Sequence, residues 1–177
     1  MGRILYHVTA KPRVDKILKE GLTPYAPTIA SEIFKPEEEE EEEEQWDCST
    51  EAEYYLNEEL QRPDSVYFWV SEDQARRAMW DLDWPFEKCI LKIDYDKIPE
   101  DCECHVSDAT IADEIYDEYY RACLYEIPVK LDKIEELVEE WEKTVEKFDP
   151  EKEYPDYYEV WCSCKEIPPE AIVDVEC

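Results

Sequence analysis

From Arg3 to Thr9 the chain alternates, with Ile4, Tyr6 and Val8 on one side and Leu5, His7 and Thr9 on the other, the two-residue period of a β-strand. Both sides are fairly apolar, which places this strand in the middle of a sheet. The pattern then changes period. Val14, Ile17, Leu18 and Leu22 fall at helical spacing, with Pro12 tolerated in a first turn and Gly21 suited to a left-handed C-terminal cap. Val66 to Ser71 and Cys89 to Asp94 predict two further strands. Between them Ser71 and Gln74 form a capping box that opens a helix carrying Ala75, Ala78, Met79 and Leu82 on one side. Ile111, Ile115, Tyr119 and Cys123 predict a helix over about 108–125. Leu131, Ile134, Val138, Trp141, Val145 and Phe148 predict a longer one. Tyr157 to Lys165 and Ala171 to Glu176 close the chain as strands around the turn Ile167-Pro168-Pro169-Glu170, since consecutive prolines cannot continue a ladder.

Residues 23–49 break the pattern. They are spotted with proline and hold eight consecutive glutamates, Glu37 to Glu44, whose like charges repel and whose side chains bury no apolar area. The expectation is a disordered acidic loop at about 35–48, followed by a short helix capped by Thr50 and Glu53 and running to about Leu60. There is no internal repeat. Strands, then helices, then strands again lack the regular alternation of a doubly wound sheet, and Gly2 and Gly21 are too few for a glycine-rich phosphate loop. The fold class expected is α+β, in one domain spanning 1–177, because a chain of 177 residues holds one ordinary core.

Charge narrows the choice of partner. Forty-nine acidic against nineteen basic residues give a formal net charge of −30, which repels phosphate polymers, and the densest basic pair is Arg76-Arg77. The plainest account of such a charge is solubility, or a salty or hot cytoplasm. A compact acidic surface also imitates nucleic acid and fits the groove of a basic protein. No run of about 18 apolar residues occurs and no basic-then-apolar signal opens the sequence, so the expectation is a cytoplasmic protein without a membrane partner. Eight cysteines are many for a reducing compartment. Cys102-Glu103-Cys104-His105 and Cys162-Ser163-Cys164 leave disulfides, buried free thiols and a zinc site open. Cys-x-Cys is tighter than the usual ligand gap, which disfavours zinc.

The order Leu5-Tyr6-His7-Val8-Thr9, Ile17-Leu18-Lys19-Glu20-Gly21-Leu22, Val66-Tyr67-Phe68 with its serine-capped helix, and Glu159-Val160-Trp161 ahead of Ile167-Pro168-Pro169-Glu170-Ala171-Ile172 resembles the ADP-ribosyltransferase superfold. Within it the chain is most similar to the diphtheria-toxin and poly(ADP-ribose) polymerase branch and to prokaryotic DNA-modifying toxins. The stretches 23–60 and 95–155 lie outside the resemblance. It implies a mixed, split sheet and NAD as substrate, with His7, Thr9, Tyr67 and Ser71 as the cofactor-binding set. His7 would bond the adenosine ribose and Tyr67 would stack on nicotinamide. Glu159 would be catalytic, stabilising the oxocarbenium-like ribose left as nicotinamide departs. DNA-modifying toxins carry an arginine soon after the second-strand tyrosine, whereas Trp69 to Asp73 intervene here before Arg76. The RNA 2′-phosphotransferases of this superfold need more arginines and histidines than this chain has near its motifs. With an acidic exterior, a protein or small-molecule acceptor fits better than a nucleic acid. The other reading is a catalytically inactive protein of this fold that occupies a basic partner.

Overall fold

The computed structural model describes residues 2–24, 40–81 and 86–177. In chain order the elements are β1 (Ile4–Ala10), α1 (Lys11–Glu20), α2 (Glu40–Leu60), β2 (Val66–Trp69), α3 (Glu72–Asp81), β3 (Lys88–Asp94), β4 (Glu103–Asp108), α4 (Ala109–Leu124), α5 (Leu131–Glu142), β5 (Glu146–Lys147), β6 (Tyr158–Ser163) and β7 (Ile172–Glu176). The class is α+β. Where the length leads one to expect a single domain, the contacts group the chain into two compact units. The first comprises Met1–Pro24, Ser65–Ser107 and Glu146–Cys177, and the second Tyr25–Asp64 and Asp108–Val145.

The first unit is built on an antiparallel sheet in the order β5-β4-β6-β2-β1-β3-β7. β1 is central, as its two apolar sides require. It pairs with β3 along its whole length, Ile4 with Asp94 through Ala10 with Lys88. β2 pairs with β6 from Val66–Cys162 to Trp69–Glu159. β4 beside β6 was not evident in the sequence, because Glu103 and His105 interrupt the apolar positions. Cys104–Cys162 and Cys102–Cys164 disulfides join these two strands at Cα separations of 4.0 and 4.6 Å. Both bonds fit one antiparallel register. The core lies on one face of the sheet, where Leu5, Phe68, Leu91, Ile93, Val106 and Val160 meet Val14, Ile17 and Leu22. Each such side chain contributes roughly 1.5–3 kcal/mol by leaving water.

Helix α1 ends as its sequence predicts. Gly21, at φ +88°, donates to the Ile17 carbonyl, and Leu22 and Ile167 then exchange N–H···O bonds of 2.9 and 2.7 Å. A third disulfide, Cys89–Cys177, ties β3 to the end of the chain.

In the second unit α2 packs on α4, and α4 on α5. Cys48–Cys123 joins α2 to α4. The Tyr119 hydroxyl donates to Glu59 at 2.6 Å, and the Ser49 and Tyr116 hydroxyls share a hydrogen bond of 2.6 Å. Two expectations are corrected here. The helix does not begin at Thr50 but runs from Glu40, so it overlaps the loop expected at about 35–48; residues 35–39 lie outside the described residues. Glutamate is a good helix former, and buried Cys48 and Ala52 give the helix a docking side that the charge pattern alone hides. Helix α5 stops at Glu142, short of Val145 and Phe148. The Thr144 hydroxyl donates to the Trp141 carbonyl at 2.7 Å, and the chain turns into β5, leaving Phe148 in the core of the first unit.

Candidate functional site

The three strands that carry the motif residues, β6, β2 and β1, are consecutive in the sheet. Their registers put Glu159 opposite Trp69 and Trp69 opposite Tyr6. Directly opposed residues of antiparallel strands share a face, so Glu159, Trp69 and Tyr6 form one row. Lys92 of β3 extends it. The neighbouring row on the same face holds Tyr67 opposite Trp161. Glu159 and Tyr67 thus emerge together, one residue pair apart along β2 and β6.

His7 does not join them there. Alternation along β1 puts it with Leu5 and Thr9 on the other face, and its ring meets the buried Phe68 ring edge-on at 5.8 Å. What it shares with Tyr67 is backbone. β1 and β2 pair in register at Tyr6–Trp69, and one residue beyond, the His7 Nδ1–H donates to the Tyr67 carbonyl at 2.7 Å. A side chain therefore bonds a backbone oxygen beside the β1–β2 pairing. Burial holds the imidazole down at about 4, against the opposing pull of that bond, with Arg13 lowering it further. The ring is neutral at pH 7, and because the carbonyl can only accept, the proton sits on Nδ1 and Nε2 is left as an acceptor.

Thr9 is buried, 2% exposed, in the β1–β3 ladder opposite Cys89. Ser71 caps α3, its hydroxyl oxygen accepting from the Gln74 N–H at 3.3 Å. Lys92, in this row, and Arg76, which shares its acidic partners, are both engaged. Arg76 donates twice to Glu176, at 2.7 and 2.8 Å, and once to Glu72 at 2.9 Å. Lys92 lies 3.2 Å from Glu72 and 3.5 Å from Asp174. Bonding to Glu72 raises the Lys92 ammonium above its usual range.

Three residues on the Glu159 face form a cluster that sequence reasoning did not assemble. The His105 ring of β4 lies flat on Trp161, centroids 4.7 Å apart and 19° between planes. The Trp161 Nε1–H donates to the buried Ser107 hydroxyl at 3.1 Å. His105 Nδ1 is buried with no hydrogen-bond partner among the described residues. The only signal for this cluster was the alternation of Cys104 and Val106 with His105 and Ser107, which the Cys-x-Cys-His spelling made look like metal ligation. The sulfurs instead pair in disulfides, none of the described cysteines remaining free. Among the described residues no group of three or more His, Cys, Asp or Glu is arranged to hold a metal ion, and no helix is long and apolar enough to cross a membrane. No protein-family model matches the chain, and no curated protein is similar to it.

Proposed function

We propose that the chain is an NAD-dependent mono-ADP-ribosyltransferase whose site is built on β1, β2 and β6 of the first unit. The observation that carries this reading is the shared face of Tyr67 and Glu159, set by the β2–β6 register. Behind it, the hydrogen bond from His7 to the Tyr67 carbonyl holds the imidazole in one tautomer and steadies the β2 backbone that carries Tyr67. The ring of Tyr67 offers its face to nicotinamide. Glu159, on the same face and one residue pair along, stabilises positive charge on the ribose as the glycosidic bond to nicotinamide lengthens, and takes the proton of the acceptor nucleophile. Thr9 and Ser71 act through the backbone they hold in place. With Arg76 and Lys92 committed to acidic partners, the pyrophosphate of NAD would rely on backbone N–H groups, and the acceptor is a protein or small molecule.

Nicotinamide release from labelled NAD should fall about a hundredfold or more in Glu159→Ala, since lost charge stabilisation of this kind costs about 10²–10³ in kcat. His7→Ala should raise KM for NAD more than it lowers kcat. The absence of release, together with no heat of NAD binding in calorimetry, would overturn the reading.

The opposite faces of His7 and Glu159 favour a second reading, a catalytically inactive protein of this fold that binds a basic partner through its acidic surface. Polylysine would then bind with an affinity that falls steeply as salt rises, and Glu159→Ala would leave that binding unchanged.

A further inference from the structure

The four sulfur atoms that join β4 to β6 do unequal work. Cys104 and Cys162 are 4% and 0% exposed and belong to the core, whereas Cys102 and Cys164 lie at its edge, both partly open to solvent. The two bonds also close almost the same loop, with sequence separations of 58 for the inner and 62 for the outer. Once the inner bond exists, the outer one encloses only the short ring through residues 102–104 and 162–164. It therefore removes little further freedom from the unfolded chain. A covalent bond nearly redundant for stability and open at both ends is suited to being broken and remade.

Solvation separates it from the other three bonds. Thiol–disulfide exchange needs an approachable sulfur and a leaving thiolate that is stable once expelled. In Cys89–Cys177 the Cys89 partner is fully buried, and in Cys48–Cys123 Cys48 is 6% exposed. Attack on the open partner of either bond would expel a thiolate into apolar surroundings, where it is a poor leaving group. In Cys104–Cys162 neither sulfur is approachable. Only at Cys102–Cys164 can either sulfur be attacked with the other leaving into water.

We propose that Cys102–Cys164 is a thiol–disulfide exchange site whose co-reactant is a dithiol, and that Cys104–Cys162 behind it is a structural bond that holds β4 to β6 while the outer one opens. One thiolate of the dithiol attacks Sγ of Cys102 or Cys164, forming a mixed disulfide and expelling the other cysteine as a thiolate, which takes up a proton. The second thiol of the reagent, deprotonated, then attacks the mixed bond. Two electrons and two protons pass to the protein, which ends with two thiols, and the reagent ends as its own disulfide.

The test uses the full oxidised chain without denaturant, treated with graded dithiothreitol, alkylated and mapped by peptide mass spectrometry. Cys102 and Cys164 should be labelled together and first, about tenfold or more faster than any other cysteine, with the near-ultraviolet dichroism of the tryptophans retained. Adding an oxidised dithiol should remove the label sites again. The double variant Cys102→Ser/Cys164→Ser should fold and lose this first phase alone. The proposal is overturned if all eight cysteines react together, if Cys177 or Cys123 is labelled first, if the dichroism collapses with the first event, if the isolated protein already carries free thiols at 102 and 164, or if the double variant keeps a fast phase.

Discussion

His7 combines two contacts, its ring edge-on against Phe68 and its Nδ1–H donated to the Tyr67 carbonyl, and a neutral Nδ1–H tautomer serves both. Its folded value near 4 lies below the ordinary 6.5, so the unfolded chain binds a proton that the folded chain refuses. Stability is then unaffected above pH 6.5 and falls as pH drops from 6.5 towards 4, by at most about 3 kcal/mol. Glu53 in α2 works the other way. Burial pushes it up to about 7, with Arg62 pulling it back, so its contribution is fully present below its unfolded value near 4.5 and is lost as pH rises through 7. The two windows overlap between pH 4.5 and 6.5, where their slopes oppose and largely cancel, so the contribution of this pair to denaturant midpoints should be nearly level there. His7→Phe should expose the Glu53 term as a fall when pH rises from 4.5 to 7, and Glu53→Gln should expose the His7 term as a fall when pH drops from 6.5 to 4. Ring resonances of His7 that titrate near 6.5 would show that the ring is not held as described.

Among the elements, α1 depends on its last residue. A Cβ at Gly21 would lie inside contact distance of the Ile167 carbonyl, and φ +88° is a conformation that L side chains avoid. Gly21→Ala should cost about 2 kcal/mol, from strain at positive φ and the weakened Leu22–Ile167 bridge, read as a lower midpoint in urea at unchanged slope. This cap was legible because glycine after an apolar helical stripe has few other uses. β1, β2, β3, β6 and β7 were legible for a similar reason, each showing apolar periodicity between clear breakers. β4 was not, since its alternating partners are His105 and Ser107, whose burial comes from Trp161 across the register and from nothing nearby in the chain. The start of α2 was hidden because a glutamate run is read by its charge, while the residues that dock it, Cys48 and Ala52, lie downstream of the run. Of the candidate site, the strands that carry it were legible. The face each side chain takes was not, because a register one residue different would have reversed it.

For the molecule as a whole, four disulfides spanning separations of 58 to 88 residues stand in for what a strongly self-repelling chain lacks. Each alone would destabilise the unfolded state by about 4–5 kcal/mol on loop-closure grounds, and nesting makes their sum smaller. Full reduction in denaturant followed by refolding with reductant present should lower Tm by well over 10 °C, since about 1 kcal/mol corresponds to roughly 2–4 °C at this size. Scanning calorimetry with and without reductant measures it. Added salt should raise Tm of the reduced chain more than that of the oxidised one, because screening relieves the repulsion among 49 acidic side chains.

The paired bonds between β4 and β6 have one more effect. All of α4 and α5, together with the exposed stretch Tyr125–Ile127 that separates them, lies in sequence between Cys104 and Cys162. A protease that clips this stretch would leave both fragments shackled to each other, migrating as one band on a gel until a reducing agent lets them part.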